Sequence, residues 1–277
     1  MGCHPLRQFL RGSHSSLFWP LVRRNRNDGR PHRHHRESAS HVFGGTKERL
    51  RISTNNKTTC QGDPPVVQPS TCRLLIFTRY PAAGKTKTRL IPALGADGAA
   101  RLQKRLTEKM IAQARLLEQR LGTTTTVHYL GGSEEEMTGW LGQVNCVEQA
   151  AGDLGIKMRT AFNEAFASGA DRAVLIGTDI PGLDVDILSQ AFTSLARQDA
   201  VIGPSRDGGY YLIGLTAQAA PQLLNPLFQE MVWSTGEVLA VTMRRLAKTG
   251  RTISILPALA DIDRPEDLAL AETWGLL

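Results

Sequence analysis

Asp179 stands near the end of Ala173–Pro181, AVLIGTDIP, where an apolar run meets a threonine, an aspartate and a proline. A short apolar run bounded by turn residues reads as a strand buried on both faces, the habit of a parallel sheet. An aspartate just past the carboxyl end of such a strand lies where open α/β sheets take their ligands. A hard carboxylate there suits a divalent cation clamped on a nucleotide diphosphate, with Thr178 beside it at the substrate. The same aspartate could instead cap the helix that follows Pro181.

Five further segments carry residues of matching chemistry. Arg79–Pro92, RYPAAGKTKTRLIP, brings Arg79, Lys85, Lys87 and Arg89 directly after an apolar strand. A Walker loop would need glycine where Arg79 stands, which excludes a P-loop kinase. Four cations and a glycine still suit phosphate, which arginine can grip with two parallel hydrogen bonds. The plain alternative is a solvated basic loop. In GDLGIKMR, Asp153 reads as a helix cap, and Lys157 and Arg159 could face an anionic ligand. In DGGYYLIG, Gly208 and Gly209 permit positive φ and close backbone approach to a ligand, with Tyr210 beside them. Asp207 there either binds a hydroxyl or holds the turn through its own side chain. In DIDRPEDL, Asp261 or Asp263 could supply a second carboxylate to a metal held by Asp179, with Asp263 as the candidate ligand. Helix capping before Pro265 is the competing role. In WST, Ser234 reads as an N-cap, and Trp233 either lines an acceptor pocket or belongs to the core.

These residues need a scaffold, and the hydrophobic pattern predicts one. Strands are expected at Leu74–Thr78, Thr124–Leu130, Asn145–Gln149, Ala173–Gly177, Ala200–Gly203, Gly209–Leu215 and Thr252–Leu256. Helices are expected at Gly98–Leu121, Glu134–Leu141, Ile156–Ala167, Val185–Arg197, Thr235–Lys248 and Pro265–Thr273. The first should bury Leu102, Leu106, Met110, Leu117 and Leu121, and the third Ile156, Phe162 and Phe166. Strand–helix alternation implies an α/β fold with a mostly parallel sheet covered on both faces. Pro204–Gly208 is too short for a crossover, so the strands it joins should be antiparallel and the sheet mixed.

Charge separates the chain into two parts. The first 72 of the 277 residues hold 12 Lys and Arg against 4 Asp and Glu, and six of the seven histidines. The remainder holds 21 against 22, so a near-neutral domain, Arg73–Leu277, follows a basic extension, residues 1–72. The sequence pI of about 9.5 is therefore no sign that the domain binds nucleic acid. Low apolar content and like charges make the extension read as disordered. A transit peptide, a nucleic-acid arm through Arg23–Arg36, and metal binding by HRHH are its functional readings. The plain reading is an unstructured tail, including a start codon assigned too far upstream. Cys3, Cys60, Cys72 and Cys146 form no C-x-x-C pair, which fits a reducing compartment and a cytoplasmic protein. No apolar run approaches the roughly 20 residues of a membrane span.

Taken in order, PAAGKTKTRL, GDLGIKMRTAF, IGTDIPGL, GPSRDGGYYLIGL, WST and DIDRPEDL resemble the DUF2064 family of GT-A-like glycosyltransferases. One branch of that family is named for arsenosugar biosynthesis and for association with radical-SAM proteins. The resemblance spans nearly all of Arg73–Leu277 and none of the extension. It implies a nucleotide-diphospho-sugar transferase fold of three α/β/α layers, a nucleotide-sugar donor, a small-molecule acceptor, and Mg2+ or Mn2+ on the diphosphate. It implies donor-phosphate contacts for Lys85, Lys87 and Arg89, metal ligation for Asp179, and a sugar or acceptor pocket around Asp207–Tyr210. An inverting transfer would also need a general base at the acceptor hydroxyl, for which Asp207 is the candidate. The chain has TDIP where GT-A enzymes carry D-x-D. Phospholactate guanylyltransferases and molybdenum-cofactor transferases share the K-T-R-L, Asp179 and DIDRPEDL features, so nucleotidyl transfer is the nearest rival. Many of those enzymes place G-G-x-x-x-R-x-G after the first strand, and Arg79–Arg89 lacks it. A catalytically inactive relative that kept the fold is the rival from another class.

Overall fold

Alternating apolar residues on the central strands serve two opposite core faces at once. Leu74 and Ile76 of β1 (Cys72–Arg79) pack with one cluster, and Leu75 with another. β4 (Arg172–Gly177) repeats the pattern, with Val174 and Ile176 on the first side and Ala173 and Leu175 on the second. A strand with two apolar faces has to be covered on both, and helices on either side cover it. The structure, a computed structural model, describes residues 71–277. The expected basic extension lies outside the described residues, except that Cys72 already belongs to β1, one residue ahead of the expected boundary.

The remaining strands are β2 (Thr124–Leu130), β3 (Asn145–Glu148), β5 (Ala200–Pro204), β6 (Tyr210–Thr216) and β7 (Ile253–Ile255). They form one sheet in the order β3-β2-β1-β4-β6-β5-β7. Every neighbouring pair is parallel except the two made by β6, which runs antiparallel to both β4 and β5. The short Pro204–Gly208 connection forces this reversal, as expected. The sheet is therefore mixed and mostly parallel.

Helices α1 (Ile91–Leu121), α2 (Glu134–Leu141) and α4 (Val185–Leu195) supply the first cluster. Helices α3 (Leu154–Ala167), α5 (Ala220–Phe228) and α6 (Val238–Thr249) supply the second, giving three layers. In the second layer Phe162 lies between Phe166 and Phe228, with ring centroids 5.9 and 5.8 Å away. A third cluster joins Leu102 and Leu106 of α1 to Ile262, to Ala271 of α7 (Leu268–Thr273) and to Leu276. It fixes the C-terminal segment over the start of α1. No helix among the described residues is long and apolar enough to cross a membrane.

Several expectations need correction. α1 begins at Ile91, and Gly95 (φ 70°) breaks its first turns before the regular part takes over. Leu121 and Ile156 lie at helix ends and are exposed, so neither joins the core. α5 was not expected, because APQLLNPLF contains two prolines. Pro221 sits in the first turn, where its missing N–H costs nothing, and the helix stops two residues after Pro226. Ser234 caps no helix. It holds φ 63°, and α6 starts only at Val238.

His128 on β2 is buried, its ring tilted against Phe77 at 5.4 Å and its Nε2 without a partner among the described residues. Burial disfavours the imidazolium and pushes its pKa down to about 4, from an ordinary 6.5. The unfolded chain therefore binds the proton more readily. Stability should fall as pH drops from about 6.5 towards 4, by a total of about 3 kcal/mol. Urea midpoints at pH 7 and pH 4.5 should reveal this loss, and His128→Gln should flatten it.

Candidate active site

β1 and β4 are parallel neighbours whose chains continue in opposite directions across the sheet, to β2 and β3 on one side and to β6, β5 and β7 on the other. At such a reversal the loops leaving the two strands part and open a crevice at the carboxyl edge. A cleft of 990 Å³ lies along this edge. Its floor comes from Thr78 and Arg79 at the end of β1 and from Gly177, Thr178 and Asp179 at the end of β4.

Beneath the floor a buried polar network ties β1, β4 and α1 together. Thr78 Oγ1 lies 2.8 Å from Thr107 Oγ1, and the Gln103 amide donates to Thr178 Oγ1 at 3.2 Å and to both other hydroxyls. Thr178 is thus part of a rigid base. Gln149, just past β3, donates through Nε2 to the carbonyls of Thr78 (3.3 Å) and His128 (3.1 Å). Both partners can only accept, so the amide orientation is fixed with Oε1 as the remaining acceptor in the cleft wall. Neither glutamine belongs to a motif, so no spacing in the sequence marks either of them.

Asp179 does not cap a helix. Asp184 caps α4, accepting from Asp186 N and Ile187 N. Asp179 lines the cleft and pairs through Oδ1 with Lys87 Nζ at 2.8 Å. The Lys87 side chain is only 3% exposed and also donates to the carbonyl of Ile262 at 2.5 Å. Ile262 N in turn donates to the carbonyl of Asp179. The residue after it, Asp263, is thereby brought to the same lip, where Arg89 pairs with its Oδ2. Asp179 and Asp263 thus both present hard oxygen donors to the cleft. They fit a divalent cation whose shell is completed by water and substrate phosphates. Among the described residues no group of three His, Cys, Asp or Glu side chains forms a closed metal cage.

The first loop divides its cations. Arg79 and Arg89 line the cleft; Lys85 is exposed on the turn away from it, and Lys87 is buried in the tie just described. On α3, Asp153 caps the helix by accepting from Ile156 N at 2.8 Å and stays outside the cleft. Lys157 reaches the cleft, whereas Arg159, two residues on and so on another face, donates to Asn225 Oδ1. Arg206 and Arg264 line the cleft as well. Arg79, Lys157, Arg206 and Arg264 make no ion pair among the described residues.

On the far side Asp207 accepts from Gly209 N at 2.9 Å, holding its own turn, and Gly209 and Tyr210 line the cleft beside it. Asp261 accepts from the Ser205 hydroxyl, and burial, with the charge of Asp207 second, pushes its carboxyl above the ordinary range. Tyr210 and Trp233 also line the cleft, and the Tyr210 hydroxyl and Trp233 Nε1 are buried without partners among the described residues. Burial raises the Tyr210 pKa further, so the hydroxyl stays protonated and able to donate.

The fold and this cleft define a member of the nucleotide-diphospho-sugar transferase superfamily. The family model DUF2064, described as "Uncharacterized protein conserved in bacteria", matches residues 113–235. The crystal structure of a candidate nucleotide-diphospho-sugar transferase from Desulfovibrio desulfuricans G20 is similar, at 33% identity and a TM-score of 0.68 over 74% of this chain and 87% of that one. The chain belongs to the DUF2064 family. The 4-diphosphocytidyl-2C-methyl-D-erythritol synthase of Anaerococcus prevotii shares the fold, at 10% identity and a TM-score of 0.52 over 76% of this chain and 97% of that one. No curated protein matches the sequence.

Gly208 does not line the cleft but clasps its wall. Its φ is +89°, a Cβ there would lie 2.1 Å from the carbonyl oxygen of Gly236, and its own carbonyl accepts from Leu239 N at the start of α6. Gly208→Ala should therefore push the Asp207 turn away from the Trp233–Gly236 segment. The expected loss is about 2 kcal/mol or more of stability, read by thermal or urea unfolding.

Proposed function

We propose that this protein is a glycosyltransferase that moves a sugar from a nucleotide-diphosphate donor to a small-molecule acceptor. The observation that carries the reading is the cleft at the β1–β4 reversal, where arginine and lysine side chains without an ion-pair partner among the described residues share the lining with paired aspartates. The 33% identical relative, itself a candidate nucleotide-diphospho-sugar transferase, supports it. In this reading the diphosphate lies between Arg79, Lys157 and the Asp179–Asp263 lip, and the nucleoside extends towards Gln149 and Leu130. Asp179 and Asp263 would hold Mg2+ or Mn2+, which supplies positive charge at the departing diphosphate. Arg79 and Lys157 add fixed cationic charge there without reorganisation. The Tyr210 hydroxyl and Trp233 Nε1 gain partners from sugar or acceptor oxygens. In this reading Asp207 takes the acceptor hydroxyl proton as the new bond forms.

A thermal-shift screen with UDP-, GDP-, ADP- and CDP-sugars and the nucleoside triphosphates, each with and without Mn2+, tests this. Stabilisation by one nucleotide-sugar, dependent on metal, is expected. Asp179→Asn, which keeps an acceptor oxygen for the buried Lys87 ammonium, should abolish it, and a circular dichroism melt without ligand checks that the variant folds. Stabilisation by a triphosphate alone, followed by pyrophosphate release, would replace the proposal with nucleotidyl transfer. No response to any nucleotide would leave an inactive relative of the fold. Arsenosugar precursors belong among the acceptors tried with the donor so found.

A further inference from the structure

The two carboxylates at the cleft lip are each matched by a cation from one short stretch of chain. Lys87 pairs with Asp179, and Arg89, two residues on, pairs with Asp263. These four charges sum to zero. A lip balanced in this way attracts a divalent cation weakly, because each ligand charge is offset by a like charge to the incoming metal a few ångströms away.

The two cations are not equivalent. The Lys87 side chain is 3% exposed, is held by the Ile262 carbonyl as well as by Asp179, and does not line the cleft. Leaving would strand a buried carbonyl, so Lys87 is fixed. The Arg89 side chain is 59% exposed, lines the cleft, and has the Asp263 carboxylate as its only side-chain partner among the described residues. An exposed pair of this kind is worth little to the fold and opens easily. A diphosphate in the cleft offers the same planar fork a stronger, more highly charged acceptor.

We propose that Arg89 is an exchangeable counter-ion. It holds the Asp263 carboxylate until a diphosphate draws the guanidinium away, and only then is the lip left with the negative charge that a divalent cation requires. Metal and diphosphate therefore bind with positive coupling carried by this one side chain, and metal alone binds weakly by construction. The proposal rests on the donor-binding reading above.

The test measures Mn2+ alone on the full chain, from the electron paramagnetic resonance of the free ion. Arg89→Gln removes the competing charge and should tighten Mn2+ binding about fivefold. Arg89→Lys, which keeps the charge, should remain near wild type, and Arg89→Gln/Asp263→Asn should lose the gain. Circular dichroism melts check that the variants fold. Unchanged or weaker Mn2+ binding in Arg89→Gln, with binding still lost in Asp179→Asn, would overturn the exchange and leave the metal site standing. Absence of Mn2+ binding at millimolar concentrations in wild type and Arg89→Gln alike would overturn both.

Discussion

One buried ammonium group holds the candidate site in register. Lys87 joins three pieces of chain that are remote in sequence: the loop after β1, the end of β4 at Asp179, and the segment leading into α7 at Ile262. The backbone accepts a left-handed φ of 48° at Lys87 to make this reach, a conformation that costs a residue with a Cβ about 1 kcal/mol. The bond from Ile262 N to the Asp179 carbonyl and the third apolar cluster close the same joint from the main chain and from behind. The position of Asp263 and the pairing of Arg89 follow from it.

The polar network below adds stiffness of another kind. Gln103 and three threonine hydroxyls leave little freedom at the ends of β1 and β4, and the Gln149 amide pins the end of β1 to that of β2. Rigidity at the floor contrasts with the far wall. There the segment from Glu230 to Ser234 contains two non-glycine residues at positive φ and a 75% exposed Val232. Arg245 secures it by donating to the carbonyls of Pro226, Gln229 and Glu230. The β1–β4 side of the cleft is thus framed by sheet and the far wall by a clamped loop.

Much of this fold was legible from local pattern. TTTVHYL reads as β2 because its β-branched residues crowd a helix and suit a pleat. The helix expected at Glu134–Leu141 is α2, and the structure adds its reciprocal cap between Ser133 and Glu136. The short Pro204–Gly208 connection told the direction of β6. What escaped was long-range. Nothing near Lys87 marks it as buried, since its partners lie about 90 and 175 residues away. Lone glutamines carry no spacing to notice, and α5 hid behind its prolines. In the candidate site Thr178, Asp179, Asp263, Arg79, Arg89, Asp207, Gly209, Tyr210 and Trp233 do meet in one cleft, whereas Lys85, Lys87, Asp153, Arg159 and Gly208 do not line it.

The reversal of strand order has a consequence for how this chain can change. Residues up to Gln149 and those from Arg206 onward both line the cleft, with Lys157 and Gly177–Asp179 between them in the chain, so the crevice is also a seam between early and late parts of the sequence. Substitutions from Arg206 onward can reshape the later bank without altering the residues of β1 and β2. Lys87 and Arg89 are the stitches across that seam. A lineage could re-tailor that bank while those two cations, and the aspartates they hold, keep the two sides of the crevice aligned.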